Sequence, residues 1–213
     1  MNKRFLIVAA IGLILTGSIF AQKKPEPKIF GFNLIKNGDA EDGNGNGWTN
    51  ADELKTIVYG EFGGGPTPNS EGPSNRGEKY FYIHTTTEQP TATFVQEINL
   101  SKITETIDKG KVEYNFGGWF GVANGSSSAG RLKILFLDKE GKEILMDQTA
   151  EITEANRPPD EVLAEKKRSG NLPVGTRTIL VTMEFKLFGK HEENQDNLAF
   201  ADNLSLVLTE KEK

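Results

Sequence analysis

The sequence predicts an all-β domain, a sandwich or barrel of antiparallel strands, on three observations. Apolar residues recur with period two through several long stretches, helical periodicity is weak, and 23 glycines punctuate the runs. Strands half-buried on one face alternate in this way, and many of them joined by Gly-rich turns build sandwiches or barrels.

In chain order, the first segment stands apart from the fold. Lys3 and Arg4 precede an almost unbroken apolar run from Phe5 to Phe20, and Ala21 closes it before Gln22-Lys23-Lys24. That pattern predicts a secretory signal peptide over residues 1–21, since the run falls short of the ~20 residues that span a bilayer comfortably, with an uncleaved transmembrane anchor as the alternative. Residues 22–28 (QKKPEPK) are charged and carry Pro25 and Pro27, which reads as an extended tether. The folded unit is expected over 29–209, with 210–213 as a charged tail. The expected destination is outside the cytoplasm: periplasm, cell surface or medium.

Lys79 to Thr85, Thr93 to Leu100 and Lys111 to Gly121 read as strands. Arg131 to Leu137 follows, with a tight turn at Asp138-Lys139-Glu140-Gly141. In Arg177 to Phe188, Ile179, Val181, Met183, Phe185 and Leu187 share one face, and Leu198 to Leu208 is the last strand. Ser101 to Lys109 suits one turn of helix, and Asp160 to Lys167 a short helix. Gly60 to Gly77 and Thr149 to Pro173 are expected as long surface loops, the kind that serve function or remain disordered.

Composition excludes several classes of function. The chain has no cysteine, so disulfides, thiolate metal sites and cysteine nucleophiles are all closed to it, as is lipidation of an exported cysteine. A net charge of -5 and a pI near 5.3 exclude the basic face of a nucleic-acid binder. Only His84 and His191 could serve a Ser-His-Asp arrangement, and neither lies in a nucleophile elbow. Gly63-Gly64-Gly65 lacks the lysine and helix of a phosphate-binding loop. Acidic residues are plentiful enough to leave a glycosidase-type carboxylate pair open, but no particular catalytic residue is expected.

Two residues break the pattern. Asp202 falls in phase with Leu198, Phe200, Leu204, Leu206 and Leu208, where an ionised carboxylate is costly unless it is paired or binds a metal. A strand that starts only at Asn203, or a β-bulge, would explain it without a ligand. Alternatively it joins Asp39, Glu41 and Asp42 of the glycine-flanked turn Asn37 to Gly43, whose hard oxygen donors suit Ca²⁺ although the spacing is not that of an EF-hand. Trp119 lies out of phase with Tyr114, Phe116 and Phe120, on a face otherwise polar. Its ring is either a platform for the C–H face of a sugar or covered from the other side. Tyr80, Tyr82 and Phe62 are the aromatics that could join it as a ligand-binding surface.

The stretch Asn33-Leu34-Ile35-Lys36-Asn37-Gly38-Asp39-Ala40-Glu41, followed by Gly47-Trp48, resembles the opening "N-L-(I/L)-x-N-(G/P)-x-x-E…G-W" of galactose-binding-domain-like jelly rolls. Ala199-Phe200-Ala201-Asp202-Asn203-Leu204-Ser205-Leu206 is similar to their closing strand. The strand at Asn115 to Phe120, the Arg131 to Gly141 hairpin and Pro173 to Arg177 also look like that family, in order. The resemblance covers nearly the whole chain after the leader and implies an antiparallel jelly-roll β-sandwich of the carbohydrate-binding-module type. It further implies a structural Ca²⁺ held by Glu41 and Asp202, although Ala40 departs from the bulky aromatic common before that Glu. The ligand it leaves open. A glycan is the expectation, with a surface-protein partner (an adhesin) or a structural envelope role as alternatives. Fold does not decide among them.

Overall fold

The computed structural model describes residues 29–87, 89–158, 162–187 and 197–211. The expected signal peptide and tether, His191, and Glu212-Lys213 of the tail lie outside the described residues. Among those described, no helix is long and apolar enough to cross a membrane.

The strands are β1 (Lys55–Val58), β2 (Lys79–His84), β3 (Thr91–Asn99), β4 (Val112–Val122), β5 (Ser128–Leu137), β6 (Glu143–Gln148), β7 (Ile152–Thr153), β8 (Ala164–Asn171), β9 (Thr178–Leu187) and β10 (Leu198–Glu210). One sheet runs β1-β2-β10-β4-β8. The other runs β3-β9-β5-β6, with β7 also on β5. Every pairing between these strands is antiparallel. The fold is the expected antiparallel jelly-roll sandwich.

Period-two patterning places the core between the sheets. Phe116 and Phe120 of β4, Leu132, Ile134 and Phe136 of β5, and Val181, Met183 and Phe185 of β9 are all fully buried there. Burying such a side chain contributes roughly 1.5–3 kcal/mol. The helical turn arrives as a 3₁₀ turn at Ser101–Ile103 followed by α1 (Thr104–Asp108), which anchors itself in the core through Ile107.

Three expectations are corrected. The helix expected from Asp160 to Lys167 is instead, where described, the approach to β8 and its first half. The loop expected from Thr149 to Pro173 contains β7, a 3₁₀ turn at Glu154–Asn156 and all of β8. Both errors have one cause. β8 is an edge strand exposed at Glu165, Lys167, Arg168 and Ser169, so it buries no periodic face that could show in its composition. Finally, the charged tail begins later than expected, because Glu210 belongs to β10 and the Lys211 N–H donates to the Lys111 carbonyl at 2.9 Å.

Candidate functional site

The site is built on the outer face of the five-stranded sheet led by β1, and a bulge in β10 creates it. Ala199 and Ala201 face the core, and so do Leu204, Leu206 and Leu208. That phase change requires one extra residue. The register shift between Asp202 and Ser205 supplies it, with Asn203 at φ 48°. An added residue in left-handed backbone flips every side chain after it. Leu198, Phe200 and Asp202 therefore point outward, opposite to Leu204, so that of the readings the sequence left open for Asp202 the β-bulge is the one found.

Outward side chains of neighbouring strands meet them. Tyr59, Tyr80, Leu163, Leu198 and Phe200 form a second buried cluster, against which Phe62, Tyr82 and Trp119 pack half-buried. Tyr80 stands edge-on to Phe200 at 5.6 Å, and Tyr59 lies 4.9 Å from Tyr80. The Gly60–Gly77 segment forms the lid. Arg76 holds it in shape by donating to the carbonyls of Pro73 (3.1 Å), Thr67 (3.1 Å) and Ser70 (2.6 Å), while its guanidinium lies over the Tyr59 ring at 5.2 Å.

Asp202 is fully buried beneath this lid. The Tyr59 hydroxyl donates to its Oδ2 at 2.5 Å and the Asn203 N–H to its Oδ1 at 2.7 Å. Burial pushes the Asp202 carboxyl up to about 7, helped by the charges of Asp39 and Glu41 and opposed by the two hydrogen bonds. Burial, and then the Asp202 carboxylate, drive the Tyr59 phenol upward in turn. Tyr80, whose hydroxyl has no hydrogen-bond partner among the described residues, is raised to about 12, first by burial.

Asp39 and Glu41 thus lie close enough to act on Asp202, but their side chains serve other ends. Glu41 Oε1 accepts the Lys79 N–H at 2.8 Å, in space left by the missing side chain of Gly77. Asp39 is exposed. Among the described residues no three acidic or histidine side chains are grouped to hold a metal ion. Glu41 Oε1 and both Asp202 carboxylate oxygens already accept hydrogen bonds from the chain itself.

The opening motif is a clasp on the last strand. Asn33 donates to the Leu204 carbonyl at 2.9 Å and accepts the Leu206 N–H at 3.0 Å, while the Leu204 N–H donates to the Gly38 carbonyl at 2.8 Å. Asn37 ties its own turn together by donating to the carbonyls of Gly43 and Asn46. Gly38 is required here, because a Cβ would come within 2.2 Å of the Leu204 carbonyl oxygen.

Where clasp, bulge and β4 meet lies a cleft of about 440 Å³. Trp119 forms one side. Asn75, Asn203, Ser205, Asp39 and the pair Glu165 and Lys167 supply polar groups, and Asn33 and Asn37 line it as well. Lys167 Nζ lies 2.6 Å from Glu165 Oε1, and the buried Asn203 Nδ2 has no hydrogen-bond partner among the described residues. Of the four aromatics singled out in the sequence, all join the outer cluster but only Trp119 lines this cleft. Tyr80, fully buried, packs and presents no face to a ligand. Sequence reading missed Tyr59, Asn75, Glu165, Lys167 and Asn203, which stand on loops, a bulge and an edge strand where no periodicity marks them. His84 is exposed at the end of β2, and no cleft described here includes it.

No protein-family model matches the chain, and no curated protein matches it. Solved structures are similar. One is the enzymatically active domain of tailspike protein 4 of bacteriophage CBA120, at 18% identity and a TM-score of 0.52, over 83% of this chain and 21% of that one. Another is the CBM22-1 xylan-binding domain of Paenibacillus barcinonensis Xyn10C, at 15% identity and a TM-score of 0.48, over 87% of this chain and 100% of that one. A third is the C-terminal family 22 carbohydrate-binding module of Clostridium thermocellum Xyn10B, at 13% identity and a TM-score of 0.48, over 87% and 98%. The chain thus spans only about a fifth of the tailspike chain. At these identities the likeness is one of fold alone, the fold that the strand order already gives: an antiparallel jelly-roll β-sandwich.

Proposed function

We propose that the chain is an exported, non-catalytic module that binds a glycan in the cleft at Trp119. The observation that carries this reading is the make-up of that cleft: one half-buried indole, facing carboxamides and a carboxylate–ammonium pair rather than an apolar wall. An indole offers a flat apolar face for sugar C–H groups. Carboxamides, Glu165 and Lys167 offer acceptors and donors for hydroxyls, and a few such groups in a concave site fix a ligand's orientation. The positive start, the apolar run and Ala21 support export. On the same reading Asp202 belongs to the architecture, held by Tyr59 in place of the Ca²⁺ that the family resemblance implied.

Native affinity electrophoresis through gels containing neutral polysaccharides tests the proposal. At least one polysaccharide should retard the protein. Trp119→Ala should remove the retardation, since losing an interface tryptophan typically costs about 2 kcal/mol or more, roughly 30-fold in affinity. Unretarded migration in every polysaccharide, or equal retardation of the variant, would refute the assignment.

A further inference from the structure

The two sheets are closed along one margin and open along the other. On the closed margin, side chains cap the outer strands. The Thr56 N–H of β1 donates to Asn44 at 2.8 Å, the Val95 N–H of β3 donates to the Thr49 hydroxyl at 2.8 Å, and the Thr49 N–H returns to the Val95 carbonyl at 3.0 Å. Caps of this kind blunt strand edges that would otherwise pair with other chains.

The opposite margin is formed by β6 and β8, and among the described residues no side chain caps β6 at its centre. The Thr149 N–H donates to the Leu132 carbonyl at 2.9 Å, and the register continues with Asp147 opposite Ile134 and Met146 opposite Leu135. In an antiparallel ladder alternate residues turn their backbone groups to the partner. Asp147 therefore faces β5 with its N–H and C=O, and Met146 turns both outward. The Gln148 N–H, also outward, is taken by Asp147 Oδ1 at 2.8 Å. Ile144, Leu145 and Met146 are 38%, 43% and 45% exposed, an apolar run with no lysine or proline within it to discourage pairing.

A groove of about 710 Å³ runs between this edge and β8, walled by Met146 and Asp147 on one side and Lys166, Lys167 and Arg168 on the other. Arg168 is paired with Asp147 at 3.1 Å and Lys167 with Glu165 at 2.6 Å, while Lys166 makes no ion pair among the described residues. The β8 wall is thus a net cationic row in a chain of net charge -5.

We infer that the β6 edge takes up an extended peptide strand from a partner, one that alternates acidic and apolar residues. Main-chain hydrogen bonds to Met146 would seat it, as in other strand additions to an open edge. Because side chains alternate across a strand, its acidic residues would face Lys166 and Arg168 and its apolar ones would lie beside Met146, on the outer side of the sheet. Lys167 borders both this groove and the glycan cleft, but no variant below alters it, so the peptide proposal and the glycan assignment fail separately.

The test is a fluorescence-anisotropy titration of the full chain with a blocked ten-residue peptide alternating glutamate and valine, against one alternating lysine and valine. The glutamate peptide should bind, more weakly as salt rises, and the lysine peptide should bind at least tenfold more weakly. Met146→Pro, which removes the outward N–H, and Lys166→Glu, which reverses the unpaired charge, should each weaken binding tenfold or more. Thermal melts establish that the variants are folded, and Lys166→Glu decides the matter should Met146→Pro fail to fold. No binding, equal binding of the two peptides, or binding unchanged by Lys166→Glu overturns the inference. So does sedimentation of the chain as a dimer that Leu145→Lys converts to monomer, since the edge is then filled by a second copy.

Discussion

Tyr59→Phe should lower the melting temperature by roughly 2–12 °C, one of two large stability effects that follow from the outer cluster. The phenol is one of only two donors described on a fully buried carboxylate. Leaving a buried charged group short of a partner costs about 1–3 kcal/mol or more, and each kcal/mol moves a domain of this size by roughly 2–4 °C. The pH dependence has a definite sign. The folded-state pKa of Asp202 is raised to about 7 from an ordinary 3.8, so the folded state holds its proton more tightly than the unfolded state does. The contribution of Asp202 to stability is therefore greatest below about pH 4, falls as pH rises towards 7, and is level above that. Asp202→Asn should flatten this slope. Melts with chelator and with excess calcium complete the test. Superimposable curves are expected if Tyr59 holds Asp202 without an ion. A calcium-dependent rise of several degrees, abolished by Glu41→Gln, would instead establish the cation.

Gly121→Ala should give the second large effect. A Cβ on Gly121 would come within 1.8 Å of the Val162 carbonyl oxygen, which is backbone and cannot rotate aside. Val162 and Leu163 lead into β8 and help cover the outer cluster, so the methyl group must lift them off. Overpacking of this kind costs about 1–3 kcal/mol. A fall in melting temperature of roughly 2–12 °C is expected, together with increased binding of an apolar dye as Leu163 and Phe200 are uncovered. A melt within a degree of the wild type would mean that the chain over Gly121 is looser than described.

The parts of the fold legible in the sequence are those where burial has a period. β9 announces itself through Ile179, Val181, Met183 and Phe185, all buried, and β4 through Tyr114, Phe116 and Phe120. Trp119 was legible for the converse reason, as a large apolar side chain in the wrong phase. β8 was not, because an edge strand of Glu165, Lys166, Lys167 and Arg168 has no apolar face to betray it. The bulge was legible only as one of several explanations for the misplaced Asp202, and its position at Asn203 was not. A non-glycine residue at φ 48° leaves no mark in composition, yet it reverses the facing of half of β10. Tyr59 was the deepest omission, since its bond to Asp202 joins residues 143 positions apart and only the folded chain brings them together.

The central claim, that a glycan sits against Trp119, is tested most directly by tryptophan fluorescence. The chain has two tryptophans. Trp48 is buried against Phe81, edge to face at 6.4 Å, while Trp119 is half-buried at the cleft. In a Trp48→Phe variant all tryptophan emission comes from the cleft. A polysaccharide that retards the protein in gels should shift that emission to shorter wavelength and protect it from acrylamide quenching, saturably and over the same concentration range. A polysaccharide that retards the protein yet leaves Trp119 emission and quenching unchanged would place the binding surface elsewhere and contradict the account.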